Sequence, residues 1–146
     1  MYRGSQHGFA PNDFHSKCNG YRCSDTLTII KADPNSFVFG PFTTATWDSS
    51  NKHKSDKDAF LFSLTNKENF PCKINMRTSQ IQYAICCWPG VGPAFGSGSD
   101  IRICEKWAIA QSWAILICIQ NIIVVRMKLN RFWPDLLSDI EVYQKV

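Results

Sequence analysis

The sequence predicts an α+β chain built on antiparallel strands with short flanking helices. Three observations carry this. From Phe37 to Leu64, FVFGPFTTATWDSSNKHKSDKDAFLFSL reads as a strand, an aromatic turn, a polar charged loop and a second strand. Thr26–Ala32 is dominated by β-branched residues, as a pleated, packed surface favours. It runs straight into the turn sequence Asp33-Pro34-Asn35-Ser36, so it folds back on Phe37–Phe39 as a hairpin-like pair.

Taken in order, residues 1–20 read as loop and then a short helix. Pro11-Asn12-Asp13 offers the helix start, with Asn12 or Asp13 as cap and Phe14 packing inward. Asn19-Gly20 ends it, glycine being suited to a left-handed C-cap. After the hairpin, Gly40-Pro41 breaks the ladder and marks a bulge or an edge. The loop from Trp47 holds Lys52, His53, Lys54, Asp56, Lys57 and Asp58, and its charges place it on the surface. Ala59–Leu64 alternates imperfectly because Leu61 is also apolar, which predicts a strand covered on both faces. A turn follows at Asn66–Asn69, then a strand at Lys73–Met76. Gln80–Trp88 continues the pattern with Ile81, Tyr83 and Ile85 on one face. Pro89–Ser99 is a Gly/Pro loop, and Asp100–Ile103 a short strand after it.

A chain of 146 residues is one domain and can bury a sizeable core. Its 45% hydrophobic and 19% charged residues are those of a globular protein. A net charge of +4, with Lys and Arg scattered, gives no nucleic-acid footprint. Met1 leads into Tyr-Arg-Gly-Ser without an apolar run, so no signal peptide is expected. Seven cysteines without framework spacing predict reduced thiols and a cytoplasmic location.

Candidate chemistry is sparse. His15, Cys18 and Cys23 lie close in sequence, but no second pair stands at zinc-site spacing, so no metal is expected. Asp48, Ser49 and His53 match the order of no nucleophile motif. GVGPAFGSG lacks the spacing and the Lys-Ser/Thr of a phosphate loop. Cys86 and Cys87 are the candidate redox thiols; as neighbours on a strand they point to opposite faces, one to the core and one outward. No catalytic residue and no cofactor are assigned.

Several blocks together resemble a TLDc domain. They are YRGSQHGF (2–9), DFHSKC (13–18), TLTIIK (26–31), FVFGPFTTATWDSS (37–50), KSDKDAFLFSLTN (54–66) and GPAFGSGSDIRI (92–103), in the family's order. The tail DIEVYQKV (139–146) resembles the family's closing strand. The resemblance implies an antiparallel β-sandwich core, with Gly8, Gly40, Gly92 and Gly96 as backbone necessities. Relatives usually carry helical sequence ahead of the block at Tyr2–Ser5, so 1–146 is expected to be a single partial domain, incomplete at its N-terminus.

The resemblance fails between Cys104 and Ser138. The apolar run Trp113–Val125 is shorter than the roughly 20 residues of a membrane span. Reading the same codons one base upstream forces Gly at Ala114, Tyr or His at Ile119 and Ile122, Glu at Lys128, Leu at Trp133 and Ala at Pro134. Those residues stand where the family has a Gly-aromatic strand and a Leu-Ala block. Residues 105–136 are therefore either translated out of frame or divergent.

The resemblance also implies a function: a non-catalytic protein-interaction module, linked to oxidative-stress protection and to regulation of the vacuolar proton-pumping ATPase. Its partners would be proteins, pump subunits among them, with neither nucleic acid nor membrane insertion. Asp139 and Glu141 are candidates for a functional surface, against the plainer reading of outward residues on an alternating strand. The competing readings are a thiol-dependent antioxidant or small hydrolase using Cys86 or Cys87, and a nonfunctional fragment.

Overall fold

The computed structural model describes residues 1–20, 23–32, 36–98, 100–103, 115–117, 125–127 and 137–144, without the side chains of 115–117, 125–127 and 137–139. Its elements in order are β1 (Tyr2–Arg3), α1 (Gly4–His7), α2 (Pro11–Cys18), β2 (Thr26–Ala32), β3 (Phe37–Thr43), β4 (His53–Lys54), β5 (Phe60–Thr65) and β6 (Cys72–Asn75). A 3₁₀ helix (Thr78–Tyr83) precedes β7 (Ile85–Cys86), β8 (Ala94–Phe95), β9 (Ile101–Arg102), β10 (Ile115–Ile117), β11 (Val125–Met127) and β12 (Leu137–Gln144).

The strands form a six-stranded sheet in the order β1-β12-β2-β3-β5-β6, a four-stranded sheet β4-β7-β8-β9 and the pair β10-β11. Every strand pair is antiparallel. The class is the α+β arrangement expected, and among the described residues the sheets do not close into a barrel. The large sheet supplies Tyr2, Ile30, Ala32, Phe39, Ile140 and Val142 to the core; Ile85, Phe95 and Ile101 come from the smaller one, and Phe14 and Cys18 from α2. Burial of these apolar side chains, worth about 1.5–3 kcal/mol each, joins sheets and helix.

Trp47 is at the centre of that core, 0% exposed. Its ring meets Phe14 edge-on at 5.2 Å and Phe95 at 5.5 Å. Its indole N–H donates to Thr26 Oγ1 at 2.9 Å, which satisfies the one polar atom such a burial would strand. The loop opened by Trp47 is thus only partly a surface loop. Trp47, Asp56 and Ala59 are buried, and His53-Lys54 pairs with Cys86-Ile85 as a strand. Charge density in the sequence hid these anchors.

Other expectations shift in detail. Residues 2–7, read as loop, hold β1 and one helical turn; β1 exists because Tyr2 and Arg3 lie alongside Val142 and Glu141. The helix α2 does contain Pro11 at its first turn, but its N-cap is Ala10, and Asp13 reaches back to accept the Ala10 N–H at 3.1 Å. Gly20 has φ 109°, yet its N–H donates to Trp47 O rather than closing the helix. The hairpin forms, and β3 runs through Gly40-Pro41 to Thr43 as an interior strand. No partners are registered between Leu27↔Phe42 and Ile30↔Phe39. There Pro41 has no N–H, and a Cβ on Gly40 would stand 1.8 Å from Thr28 O. A register shift does occur, against β5, between Val38 and Phe39.

The strand β5 is not covered on both faces: Phe60, Leu61 and Phe62 are half-buried and Leu64 is exposed. Of the glycines tied to backbone needs, Gly8 and Gly96 have φ 98° and 82°, whereas a Cβ on Gly92 would make only ordinary contacts. Residues 78–83 turn as a 3₁₀ helix instead of continuing a strand. The Gly/Pro stretch is interior rather than loop alone: residues 91–96 are buried and include β8. Most of the turn at 33–36 lies outside the described residues. So does the question of reading frame in 105–136, where only the backbones of β10 and β11 are described.

Candidate functional site

The strand pairing that places His53 opposite Cys86 is the most reactive-looking arrangement among the described residues. Cys86 Sγ lies 3.0 Å from His53 Nδ1 and 3.9 Å from Gly96 O. The imidazole is walled edge-on by Tyr83 at 5.2 Å and Trp88 at 5.6 Å, and the Arg102 guanidinium lies 5.6 Å from the Trp88 ring. Cys86 is 1% exposed and Cys87 0%, so the expectation that one thiol faces outward is wrong. Their side chains do part: Cys87 belongs to the main core, Cys86 to a smaller cluster with Val91 and Ala94. Both sides of the chain are covered at Cys86-Cys87, which the two residue letters alone did not tell.

Burial pushes both thiols up to about 11, against the Arg102 charge near Cys86. Cys18 is raised further, to about 12, by burial and by Cys23. A neutral thiol is a poor nucleophile. Burial thus works against the thiolate that a nucleophile beside His53 would need.

Asp56 is the other concentrated polar group. It is 6% exposed and receives four donors. Thr43 Oγ1–H and Thr44 N–H reach Oδ2 at 2.6 Å each, while Thr44 Oγ1–H at 2.9 Å and Asp58 N–H at 3.0 Å reach Oδ1. Burial alone would raise its pKa; the hydrogen bonds from Thr43, Thr44 and Asp58 outweigh it and hold the carboxyl below its usual value. The carboxylate fixes the entry of the long loop by supplying acceptors to backbone that has left the sheet. The Thr43-Thr44 pair ahead of Asp56-x-Asp58 was the available sequence signal.

The remaining polar residues are engaged in the same way. His15 Nε2–H donates to the carbonyls of Val91 at 2.9 Å and Trp88 at 3.0 Å, which ties α2 to the Gly/Pro segment. Its Nδ1 lies 2.8 Å from the Asn19 side-chain amide. His15 therefore does not join Cys18 and Cys23 in a ligand set, and no group of three potential metal ligands occurs among the described residues. Asp48, Ser49 and His53 do not converge. Asp48 pairs with Lys54 at 2.7 Å, Ser49 Oγ accepts from Asn19, and His53 faces Cys86. Burial opposes the Asp48 charge, but bonds from Lys54 and Ser50 hold its carboxyl well below the usual range. In the Gly/Pro segment, the Gly92 and Gly96 N–H groups donate to Ile103 O and Ala84 O.

Of the acidic pair on the last strand, Glu141 meets Arg3 Nε at 2.9 Å and accepts from the Tyr143 hydroxyl. It is half-buried between inward Ile140 and Val142, as the alternating-strand reading has it. The Asp139 backbone pairs with Lys31, and its side chain lies outside the described residues.

These features define a small antiparallel α+β domain whose polar side chains are largely committed to holding its loops. The chain belongs to the TLDc domain family, whose profile matches residues 1–122. The match stops short of β12, although β12 occupies the place between β1 and β2 in the large sheet. No curated protein matches the chain. Among the described residues no helix is long and apolar enough to cross a membrane.

Proposed function

We propose that the chain acts as a non-catalytic protein-interaction module, tied to oxidative-stress protection and to regulation of the vacuolar proton-pumping ATPase in the cytoplasm. The observation that supports this is TLDc membership over residues 1–122. The burial of Cys86 and Cys87, which disfavours their thiolates, is in keeping with it. In this reading Asp139 and Glu141 are candidate contact residues. The test is retention of purified vacuolar ATPase subunits on the immobilised chain, with pump assembly followed when the chain is added. Retention together with altered assembly is the expected result; folded chain that retains no pump subunit refutes the pump assignment.

A second reading, a thiol-dependent antioxidant or hydrolase, is favoured by one observation, the 3.0 Å approach of Cys86 to His53. Peroxide consumption by the purified chain that disappears in Cys86→Ser and persists in Cys87→Ser would support it. An inert chain removes it.

A further inference from the structure

We propose that the open edge of β6 is a strand-addition site for an extended peptide segment that alternates acidic and apolar residues. The inference deepens the interaction-module reading and rests on it, but it does not depend on the pump as partner.

The edge follows from topology and register. β6 ends the large sheet, with β5 as its one strand neighbour among the described residues. Met76 N–H donates to Ala59 O on the β5 side. Backbone groups alternate sides along a strand. The amides of Cys72 and Ile74 thus also face β5, and those of Lys73 and Asn75 face away. Two N–H and two C=O groups are left for an incoming strand, the basis of peptide recognition by strand addition.

Side chains choose the occupant. Lys73, Asn75 and Arg77 are exposed, whereas Cys72, Ile74 and Met76 are half-buried. An added strand would set one row of its residues opposite Lys73 and Arg77, and the alternate row beside the apolar positions. Among the described residues neither Lys73 nor Arg77 forms an ion pair, although Asp100 feels the Arg77 charge. Lys73 Nζ rests 4.0 Å from the Phe60 ring centroid, and Phe60 stacks on Phe42 at 4.9 Å. The cation is therefore pre-positioned over an apolar floor. Phe70, 69% exposed just before β6, adds apolar surface at the same edge. A second copy is the poorer occupant: pairing two such edges antiparallel, Lys73 opposite Asn75, leaves each Lys73 diagonal to the other copy's Arg77 with no acidic residue on either edge. Pro71 and Lys73 blunt the edge against indiscriminate pairing.

The test uses the whole chain and a fluorescein-labelled peptide of about ten residues alternating Glu and Val, blocked at both ends. Fluorescence anisotropy compares it with the same residues in two blocks and with a Lys–Val alternation. The Glu–Val alternation is expected to bind, and the other two to bind about tenfold or more weakly. Asn75→Pro removes an N–H that faces away from β5, so it should weaken binding about tenfold while the thermal midpoint holds. Should that variant not fold, the double change Lys73→Glu with Arg77→Glu gives an independent reading, a switch of preference to the Lys–Val peptide. No binding of the Glu–Val peptide up to about 1 mM overturns the proposal. So does equal binding of the block peptide, or a folded Asn75→Pro that binds as before. Pump subunits retained by a chain that binds no Glu–Val peptide would overturn the edge and leave the module reading standing. Peptide binding without pump retention would do the reverse to the pump assignment.

Discussion

Replacing Asp56 by Asn tests whether one carboxylate organises the long loop. Each oxygen of Asp56 accepts one hydroxyl and one backbone N–H. An amide keeps one oxygen and turns an NH₂ toward the other pair. The Thr43 or Thr44 hydroxyl can rotate to accept from it, but a backbone N–H, of Thr44 or of Asp58, cannot. One buried donor is left unsatisfied, at about 1–3 kcal/mol, and the charge that strengthened the remaining bonds is gone. Asp56→Asn should therefore lower stability by about 2–4 kcal/mol, and Asp56→Ala, which orphans every donor, by about 3–5 kcal/mol. Urea unfolding at pH 7 reads this as a lower midpoint at unchanged slope. The pH dependence is a second, independent signature. The folded-state pKa lies below the unfolded value of about 3.9, so the Asp56 contribution is complete above that pH. It is lost as pH falls from about 3.9 through the lowered folded value. The gap between wild type and Asp56→Asn should thus be constant from pH 7 to about 5 and narrow in acid. An unchanged urea midpoint at pH 7, or a gap that does not narrow, would refute the keystone role.

Iodoacetamide at neutral pH should modify the partly exposed Cys23 and Cys72, and leave Cys18, Cys86 and Cys87 unmodified until the chain unfolds. Mass spectrometry of the labelled peptides decides it, and labelling of Cys86 as fast as Cys72 would contradict the burial described. In reducing buffer, stability should fall as pH rises above about 8.5, where unfolded thiols ionise while native Cys18, Cys86 and Cys87 keep their protons. Urea midpoints at two pH values on either side of 8.5 measure this, and a Cys18→Ala variant should show a shallower decline. Gly40→Ala would press a methyl into Thr28 O and should cost about 1–3 kcal/mol or more, whereas Gly90→Ala meets nothing within 4 Å and should shift stability by under about 0.5 kcal/mol.

The parts of the fold legible in the sequence were those where local chemistry and tertiary structure agree. The β-branched run of β2, the aromatic pair of strands around the long loop and the Asn66–Asn69 turn are of this kind. In that turn Asn66 accepts from the Phe70 N–H, and Asn69 sits at φ 52°. What escaped was set by distant partners. Tyr2-Arg3 is a strand only because β12 arrives beside it, and His53-Lys54 only because β7 does. The His53–Cys86 approach had no sequence signal, since no short spacing joins the two. Asp56 was misread because a charged residue among charged residues looks solvated, and only its two threonines hinted otherwise. The two-sided cover expected for β5 failed because Phe60 and Phe62 face the half-open side of the sheet, where β6 is the last strand.

The place of β12 sets a timetable for the protein. Thr26 lies opposite Gln144, far later in the chain, and β1 has no sheet to join until β12 is in place. At ordinary rates of synthesis the early strands wait on the order of ten seconds for that partner. Until then Ile30 and Phe39 have half a layer above them, and the β2 edge is open to a neighbouring chain. Any change that spoils residues 137–144 would therefore first be felt by β1 and β2, the strands that wait for them. Its cellular mark would be a nascent chain dependent on chaperones, before any loss of a finished protein's activity.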